Sequence, residues 1–506
     1  MNNIYYFINE NIFTFNSGTE FSAMNRQKIF KKLNLKSKII TRNYNQGLHQ
    51  VIRNYNLSDD DVLNMYDYFQ KVIDIPYHHE KLRYSKVIDK QHYKIVGIDN
   101  NKSVITRHGN TVAEVNIFPG TIGEIGSINY LDQFGNTSSR DIWDARGFKS
   151  KTQYLHPDGR IGHEVIFDYQ GNPVIEITHM NKDNDFPTMF KLLNYKGHNF
   201  RFDNEDALFN FFLREISDEN STVLINDRPT LTAVVAQVPN VKARYQVLHN
   251  EHTVKPKLAD KPNGKLYPNL IPLFNQFSDQ FNGIIVSTSQ QKQDLNKFFP
   301  ELNVIAIADT AIMHKHAPAT TNEKNRHEIT YLGRVFHDKH IDHLIKITED
   351  VKKVVPDVHM NVVGYFESPA YKQELDEQIK KAKLTNNVTL TDYRIGKDRD
   401  NILANTQVLL QTSFGEGLSM TLVQGLAYGI PAVAYDVNYG PNQIIDNGSN
   451  GYLIPAGDKK KAAKAVENLI TNQDLHAKFS QAALKKAAQF SAERIGKQWQ
   501  AFAKHC

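Results

Sequence analysis

The chain has 506 residues, of which 40% are hydrophobic and 23% charged, an ordinary globular composition with room for about two or three domains. Its net charge of +5 is too mild to argue for a nucleic-acid partner, although it suits a polyanionic acceptor or an anionic membrane surface. Cys506, the single cysteine, excludes an internal disulfide and a multi-cysteine metal site. The opening residues Met1 to Phe7 lack a basic region and a long apolar core, so no signal peptide is expected. No apolar run approaches the ~20 residues of a membrane-spanning helix, and the expected location is the cytoplasm. Ile4 to Ile8 reads as a strand, Asn16 to Thr19 as a loop around Gly18, Glu20 to Leu33 as a helix and Lys38 to Thr41 as the next strand. Ser58-Asp59-Asp60-Asp61 has the look of an acidic metal motif. Ser58 as a helix cap, with acids at the positive helix end, accounts for it better.

The texture changes between residues 77 and 202. Turn signals recur at Asp99-Asn100-Asn101, His108-Gly109-Asn110, Gln133 to Asn136, His156 to Gly159 and Tyr169 to Asn172. Alternating segments such as Thr111 to Ile117 and His163 to Phe167 lie between them, which predicts a meander of antiparallel hairpins. The α/β pattern resumes with an apolar helix from Ala207 to Ile216 and a strand at Thr222 to Ile225, followed by Asn226-Asp227-Arg228-Pro229. A strand at Tyr245 to Leu248 leads into His249-Asn250-Glu251-His252. Two histidines three apart suggest a metal, but no clear third ligand lies nearby beyond Glu251, and the pair follows a strand rather than lying on a helix.

A second α/β unit starts near Glu328. The strand Ile329 to Leu332 is followed by Gly333-Arg334, with Lys339 five residues on and a helix over His343 to Ile347. Two cations between a strand and a helix start suit an anion. Val388 to Thr391 precedes Asp392-Tyr393-Arg394. Asp398-Arg399-Asp400, on a basic stretch that opens a helix, reads as capping. The apolar run Val408 to Leu410 leads into Phe414-Gly415-Glu416-Gly417-Leu418-Ser419. Leu418, Leu422 and Leu426 then recur at helical spacing, with Ser419 or Thr421 as cap, and Ala432 to Tyr435 reads as the next strand. A glycine-rich turn between strand and helix lies where parallel α/β sheets place ligands, and free N–H groups there suit a phosphate. Glu416 would be repelled by a phosphate, so it faces a neutral, hydroxyl-rich part of the ligand. Asn438 to Asn442 forms a rigid turn expected to close over the cleft, and Leu475 to Phe502 is mostly helical.

The stretch from Phe414 to Gln424 resembles the retaining glycosyltransferases of the two-Rossmann (GT-B) type, similar to glycosyltransferase family 4, whose signature is a glutamate, seven residues and a second glutamate. Glu416 fills the first position and Gln424 the second, a departure that removes charge assistance from the contact to the ribose diol. Asp144-Ala145-Arg146-Gly147-Phe148 is similar to a segment of the bacterial subgroup that contains wall teichoic acid α-glycosyltransferases and the transferases of serine-rich adhesins. The resemblance implies a GT-B fold, α/β, with two Rossmann-like domains facing a cleft. The domains expected are residues 1–76 and 203–312 as the first, 77–202 as an inserted β domain for oligomerisation and acceptor presentation, 313–480 as the nucleotide-sugar domain, and 481–506 as a helix crossing back. It further implies a donor site of Gly18, Arg334, Lys339, Tyr393, Glu416, Gly417, Leu418, Ser419 and Gln424. His249 would bond the transferring sugar, supported by His252, Asp227 and Arg228.

The implied enzyme is a retaining, metal-independent hexosyltransferase with Glu416, His249, Arg334 and Lys339 as its catalytic group. It needs no cofactor and uses UDP-glucose or UDP-N-acetylglucosamine as donor substrate. The acceptor expected first is poly(glycerol- or ribitol-phosphate) wall teichoic acid, and second a serine-rich surface protein. The protein is expected to be a homo-oligomer such as a trimer, cytoplasmic, with peripheral association at the inner face of the membrane. Gln424, and Ile307-Ala308-Asp309-Thr310 where many relatives have a Pro-x-Gly turn, keep open a non-catalytic subunit that binds acceptor.

Overall fold

The structure is a computed structural model that describes residues 3–77, 82–181, 184–261, 263–313 and 327–506. Three sheets account for its strands. The first is parallel, with seven strands in the order Val304–Ala306, Gly283–Val286, Ala243–Leu248, Thr222–Asn226, Ile4–Asn9, Lys36–Thr41 and Val62–Asn64. Its central strands read as near-continuous apolar runs because helices cover both faces; every residue of Thr222–Asn226 is buried. Ile4 pairs with both Thr222 and Lys36, so the chain leaves this sheet after Val62–Asn64 and re-enters it beside its own first strand. The second parallel sheet has six strands, in the order Val388–Thr391, His359–Val363, Glu328–Leu332, Val408–Gln411, Ala432–Asp436 and Gly451–Pro455. The boundary expected at 312/313 adjoins residues 314–326, which lie outside the described residues.

Between the two halves of the first sheet stands an antiparallel meander of ten strands, paired in sequence order from Lys94–Gly97 to His198–Phe202. Two of its hairpins use the same turn. Asp132 Oδ1 accepts from the N–H groups of Phe134 and Asn136, and Asp168 Oδ1 accepts from those of Gln170 and Asn172. Gly135 and Gly171 supply the positive φ, +85° and +87°, that such turns require. The meander is not a detachable appendage. Ile166, Ile175, Ile177, Phe190 and Leu192 share one buried core with Tyr66, Phe69, Phe209 and Phe212 of the first α/β unit.

A knot of charges ties the same two regions. The Arg146 side chain is fully buried and bonds Asp144 and Asp67, each at 2.7 Å, and the carbonyl of Val72 at 2.8 Å. Asp67 also bonds His49 Nε2 at 2.8 Å, while His49 Nδ1 meets Asp59 at 2.6 Å. Burial alone would lower the His49 pKa, but the two aspartates hold it up at about 9. Ser58-Asp59-Asp60-Asp61 therefore closes a capping box, Ser58 with Asp61, and an ion pair.

The C-terminal segment is two helices rather than one. Gln473–Ala487 ends in a short 3-10 turn, Ser491 caps a new helix, and Ala492–His505 crosses onto the first unit. There Trp499 meets Phe30 edge-on and Phe502 meets Tyr245. No helix of the described residues is long and apolar enough to cross a membrane.

Candidate functional site

The loops at the C-terminal ends of both parallel sheets face one cavity of about 520 Å³. Such ends are where open α/β sheets hold ligands, because successive strands diverge there and helix N-termini point inward. Gly18, Arg228, His249, Arg334, Lys339, Tyr393, Glu416, Leu418, Ser419 and Gln424 all line it. Residues that stand up to 406 positions apart in sequence thus share one wall system, to which both sheets contribute.

On the wall of the second sheet, Lys339 Nζ bonds Glu416 Oε1 at 2.9 Å. Burial pushes the Lys339 pKa down, but the Glu416 charge more than offsets it and the net shift is upward. Burial pushes Glu416 up; Lys339, with smaller help from Arg334, outweighs that and holds the carboxylate below its ordinary range. Arg334 is 34% exposed, lies over the Phe336 ring at 4.7 Å and reaches Asp338 at 3.3 Å. The Glu416 loop is fixed from behind. Its N–H donates to the Asn438 carbonyl at 2.9 Å, and the Tyr439 N–H donates to its carbonyl at 2.6 Å. The turn at Asn438 to Asn442, expected to close over the cleft, instead buttresses the loop and lies outside the cavity lining; Gly440 has no room for a Cβ because the Leu418 carbonyl occupies it.

Neither expected cap of the helix Met420–Ala427 acts as one. Ser419 sits at the N-cap with φ +72°, and its hydroxyl donates to Gln411 Oε1 at 2.7 Å. The Thr421 hydroxyl donates to the Leu332 carbonyl at 2.8 Å. Both hydroxyls tie the loop to the sheet, which leaves the first-turn N–H groups without a side-chain acceptor. Asp398-Arg399-Asp400 also fails as a cap: the N-cap of Gly396–Asn405 is Ile395, with no side-chain bond, and Asp400 pairs with Arg399 at 2.6 Å.

The wall of the first sheet carries His249. Its Nε2 bonds Asp227 Oδ1 at 3.0 Å, and its Nδ1 faces Asp309 Oδ2 at 3.6 Å. Asp227 is fully buried, and Arg26 and Asn9 satisfy its other positions at 2.8–3.2 Å. Burial alone would push the His249 pKa down, but the two aspartates raise it above the ordinary value. Asp227 is depressed, since Arg26 and His249 outweigh its burial. Arg228 pairs with Glu20.

Gly417 sits against the His249 carbonyl and Gly415 against Glu251, at 2.6 Å for a hypothetical Cβ, so these glycines let the two halves touch. Gly18 is the first residue of the helix Gly18–Lys32, not part of the loop, because Ser17 and Glu20 form a capping box ahead of it; it lies beside Met420 of the other half. The Tyr393 hydroxyl accepts from the Asn16 N–H at 3.4 Å, and its ring meets Phe15 and Tyr365 edge-on.

His252 does not line the cavity. It is buried in a stack with the Tyr439 ring, 6.0 Å between centroids, and burial lowers its pKa. Sequence reasoning did not mention Arg26, and it named Asp309 and Arg399 without giving them a part in the site. Asp309 and Arg399 line the cavity. Asp309 carried a signal, since it follows the strand Val304–Ala306 of the first sheet.

His340, Asp342 and His343 bring three ligand atoms within 4.8 Å of one another, away from the cavity lining. A cation there would compete with Lys459, whose Nζ lies 3.4 Å from His343 Nε2, while the Tyr435 hydroxyl takes Nδ1 at 2.9 Å.

Comparison with known proteins agrees with this layout. Residues 314–486 match the family "Glycosyl transferases group 1". The UDP-N-acetylglucosamine–peptide N-acetylglucosaminyltransferase GtfA subunit of Streptococcus agalactiae is 24% identical over 469 residues, covering 89% of this chain and 87% of that protein. The poly(ribitol-phosphate) alpha-N-acetylglucosaminyltransferase of Staphylococcus aureus is 23% identical over 491 residues, covering 95% and 96%. The crystal structure of the pneumococcal O-GlcNAc transferase GtfA with UDP and GlcNAc superposes with a TM-score of 0.87 at 19% identity, over 100% of this chain and 99% of that one. The fold is GT-B with an antiparallel ten-stranded sheet added to two Rossmann-like sheets.

Proposed function

We propose that this chain, a glycosyltransferase by its group 1 domain, moves glucose or N-acetylglucosamine from a UDP-sugar to a hydroxyl of a polymeric acceptor, with retention. The observation that carries the reading is one cavity lined together by Arg334, Lys339 and Met420 at the open helix start, with Glu416 and His249 in the same lining. The diphosphate would lie against the two cations and that helix start. These groups supply charge stabilisation where the leaving group develops its charge, which is the role a metal plays elsewhere. Glu416 and His249 would hold the sugar. The bond from the anomeric carbon to the diphosphate breaks, the acceptor oxygen bonds the same face, and the acceptor proton passes to the departing phosphate oxygen. Gln424 would take the ribose diol and Tyr393 the base side.

The acceptor we put first is poly(glycerol- or ribitol-phosphate), which the net charge of +5 suits, and a serine-rich protein second. The ten-stranded sheet would oligomerise the chain and present the polymer; Ile122, Phe134 and Phe186 in its connecting loops are 87%, 79% and 71% exposed. Because its later strands share a core with the first unit, the test of this role is a surface change, Phe134→Asp, read by light scattering, rather than a deletion. An unchanged number of chains per particle counts against Phe134 as an interface residue. The protein would work in the cytoplasm at the inner membrane face.

The deciding experiment incubates the protein with UDP-glucose and UDP-N-acetylglucosamine, with each polyol-phosphate polymer and with a serine-rich peptide. UDP release and the anomeric configuration are read, with and without EDTA. Transfer that survives EDTA and gives an α-linkage is expected. A β-linkage refutes retention, and loss in EDTA restored by manganese refutes the two-cation site. Binding of UDP without transfer to any acceptor moves the reading to the non-catalytic subunit that Gln424 leaves open.

A further inference from the structure

The segment after the strand Val304–Ala306 places Asp309 in the cavity wall with its side chain 6% exposed. Its Oδ2 faces His249 Nδ1 at 3.6 Å. Its Oδ1 is buried and has no hydrogen-bond partner among the described residues. Folded proteins rarely leave such an atom unmatched, and this one borders a cavity that holds a ligand in the reading above.

The surroundings define what would match it. A carboxylate oxygen accepts and cannot donate, so it repels phosphate and takes a hydroxyl. Arg334 and Lys339, the anion-binding side chains, stand on the wall of the second sheet. Asp309 stands on the opposite wall beside His249, whose carbonyl abuts Gly417. Glu416, one residue from Gly417, brings a second carboxylate toward that corner from the second-sheet wall, its charge already paired with Lys339 at 2.9 Å. Two acceptors and an imidazole make a pocket for a polyol, not for a diphosphate. Asp227 fixes the far side of the His249 ring, so the Asp309–His249 contact occupies Oδ2 and leaves Oδ1 of this cavity-lining residue unmatched.

We propose that Asp309 determines donor specificity by accepting, through Oδ1, a hydrogen bond from one hydroxyl of the transferring sugar. The inference rests on the nucleotide-sugar reading of the cavity. A sugar without that hydroxyl leaves a buried carboxylate oxygen unmatched, and sites built around such a bond discriminate steeply.

The test is calorimetric binding of UDP, UDP-glucose, UDP-N-acetylglucosamine and each monodeoxy analogue of the better donor to the parent protein, Asp309→Ala and Asp309→Asn. UDP affinity, unchanged in both variants, serves as the folding control. In Asp309→Ala the intact donor binds about ten- to a hundredfold more weakly, and one deoxy analogue shows the same loss in the parent. Combining that analogue with the variant brings no further loss, because one bond has been removed twice. Asp309→Asn, which keeps a neutral acceptor, loses less. Losses that multiply for every analogue, or UDP affinity that falls as far as donor affinity, overturn the assignment. If neither UDP nor any UDP-sugar binds the parent, the proposed function fails first and this inference with it.

Discussion

Two histidines in this chain are each held between two aspartates, with an arginine behind, and the pair separates structural from functional use of buried charge. His49 lies between Asp59 and Asp67 at 2.6 and 2.8 Å, and Arg53 and Arg146 complete those carboxylates. Every oxygen of that knot is taken. His249 lies between Asp227 and Asp309 at 3.0 and 3.6 Å, and Arg26 completes Asp227. There Asp309 Oδ1 is left over, on a cavity wall. A closed network rigidifies the chain, whereas an open one leaves capacity for a ligand. The same residue types therefore hold the meander to the first sheet in one place and shape a pocket in the other.

The largest effect breaks the closed side. Arg146→Ala leaves Asp67 and Asp144 buried without their cation, and removal of one partner from a buried pair costs about 3–5 kcal/mol. Differential scanning calorimetry registers this as a clear fall in melting temperature, with UDP affinity of the folded protein kept. An unchanged melting temperature would show that the meander docks without the knot.

Next in size comes the open side. Lys339→Ala lowers transfer by about 10²–10³-fold, the typical cost of one lost transition-state donor, and also lowers stability, because the Glu416 carboxylate, only 15% exposed, loses its cation. Arg334→Ala weakens UDP binding by roughly 1.5–3 kcal/mol. Calorimetry that finds UDP affinity intact in Arg334→Ala removes this arginine from the anion site.

A pH experiment then probes His49 alone. Its pKa is raised from 6.5 to about 9 in the folded chain, so its contribution is complete below the unfolded value and is lost as pH rises through about 9. The total is roughly 3 kcal/mol. Denaturant unfolding of the parent between about pH 6 and pH 10 loses this amount, and His49→Gln removes that slope. A parent and variant with parallel pH dependence would mean that His49 is not charged in the knot.

The cavity could be read from sequence where its residues follow strands in contiguous motifs. Arg334, Lys339, Glu416 and Gln424 sit within short runs whose spacing mirrors strand, loop and helix, and the structure brings all four to one wall system. The supports were not legible. Arg26 meets Asp227 across 201 positions, and no local pattern announces such a pair. His252 misled in the opposite sense: its spacing from His249 suggested a shared task, but the loop turns it under Tyr439, where stacking decides its place. Ser419 and Thr421 have cap-type hydroxyls that found acceptors on the sheet instead, since Gln411 and the Leu332 carbonyl lie within reach once the loop folds back. The meander was visible through its turns, whereas its shared core with the helix Glu205–Ile216 depends on which face each strand presents.

The smallest effect sharpens the open side further. Gln424 lines the cavity on the helix Met420–Ala427, at the position where the resemblance expects a glutamate. Gln424→Glu restores a charged acceptor toward the ribose diol. A bond to a charged group exceeds a neutral one by up to about 1–2 kcal/mol, so donor affinity rises by as much as about tenfold. The helix tolerates the change, because Gln and Glu have nearly equal propensity. Turnover rises less than affinity, since the ribose is remote from the reacting carbon and tighter binding there is shared by ground and transition states. Donor affinity and initial rate are measured for both forms under the same conditions. A variant that binds donor more weakly than the parent shows that residue 424 does not hold the ribose. A parent without activity beside an active variant means that the natural chain is the acceptor-binding subunit, and that its catalytic walls are kept for holding a ligand rather than for transfer.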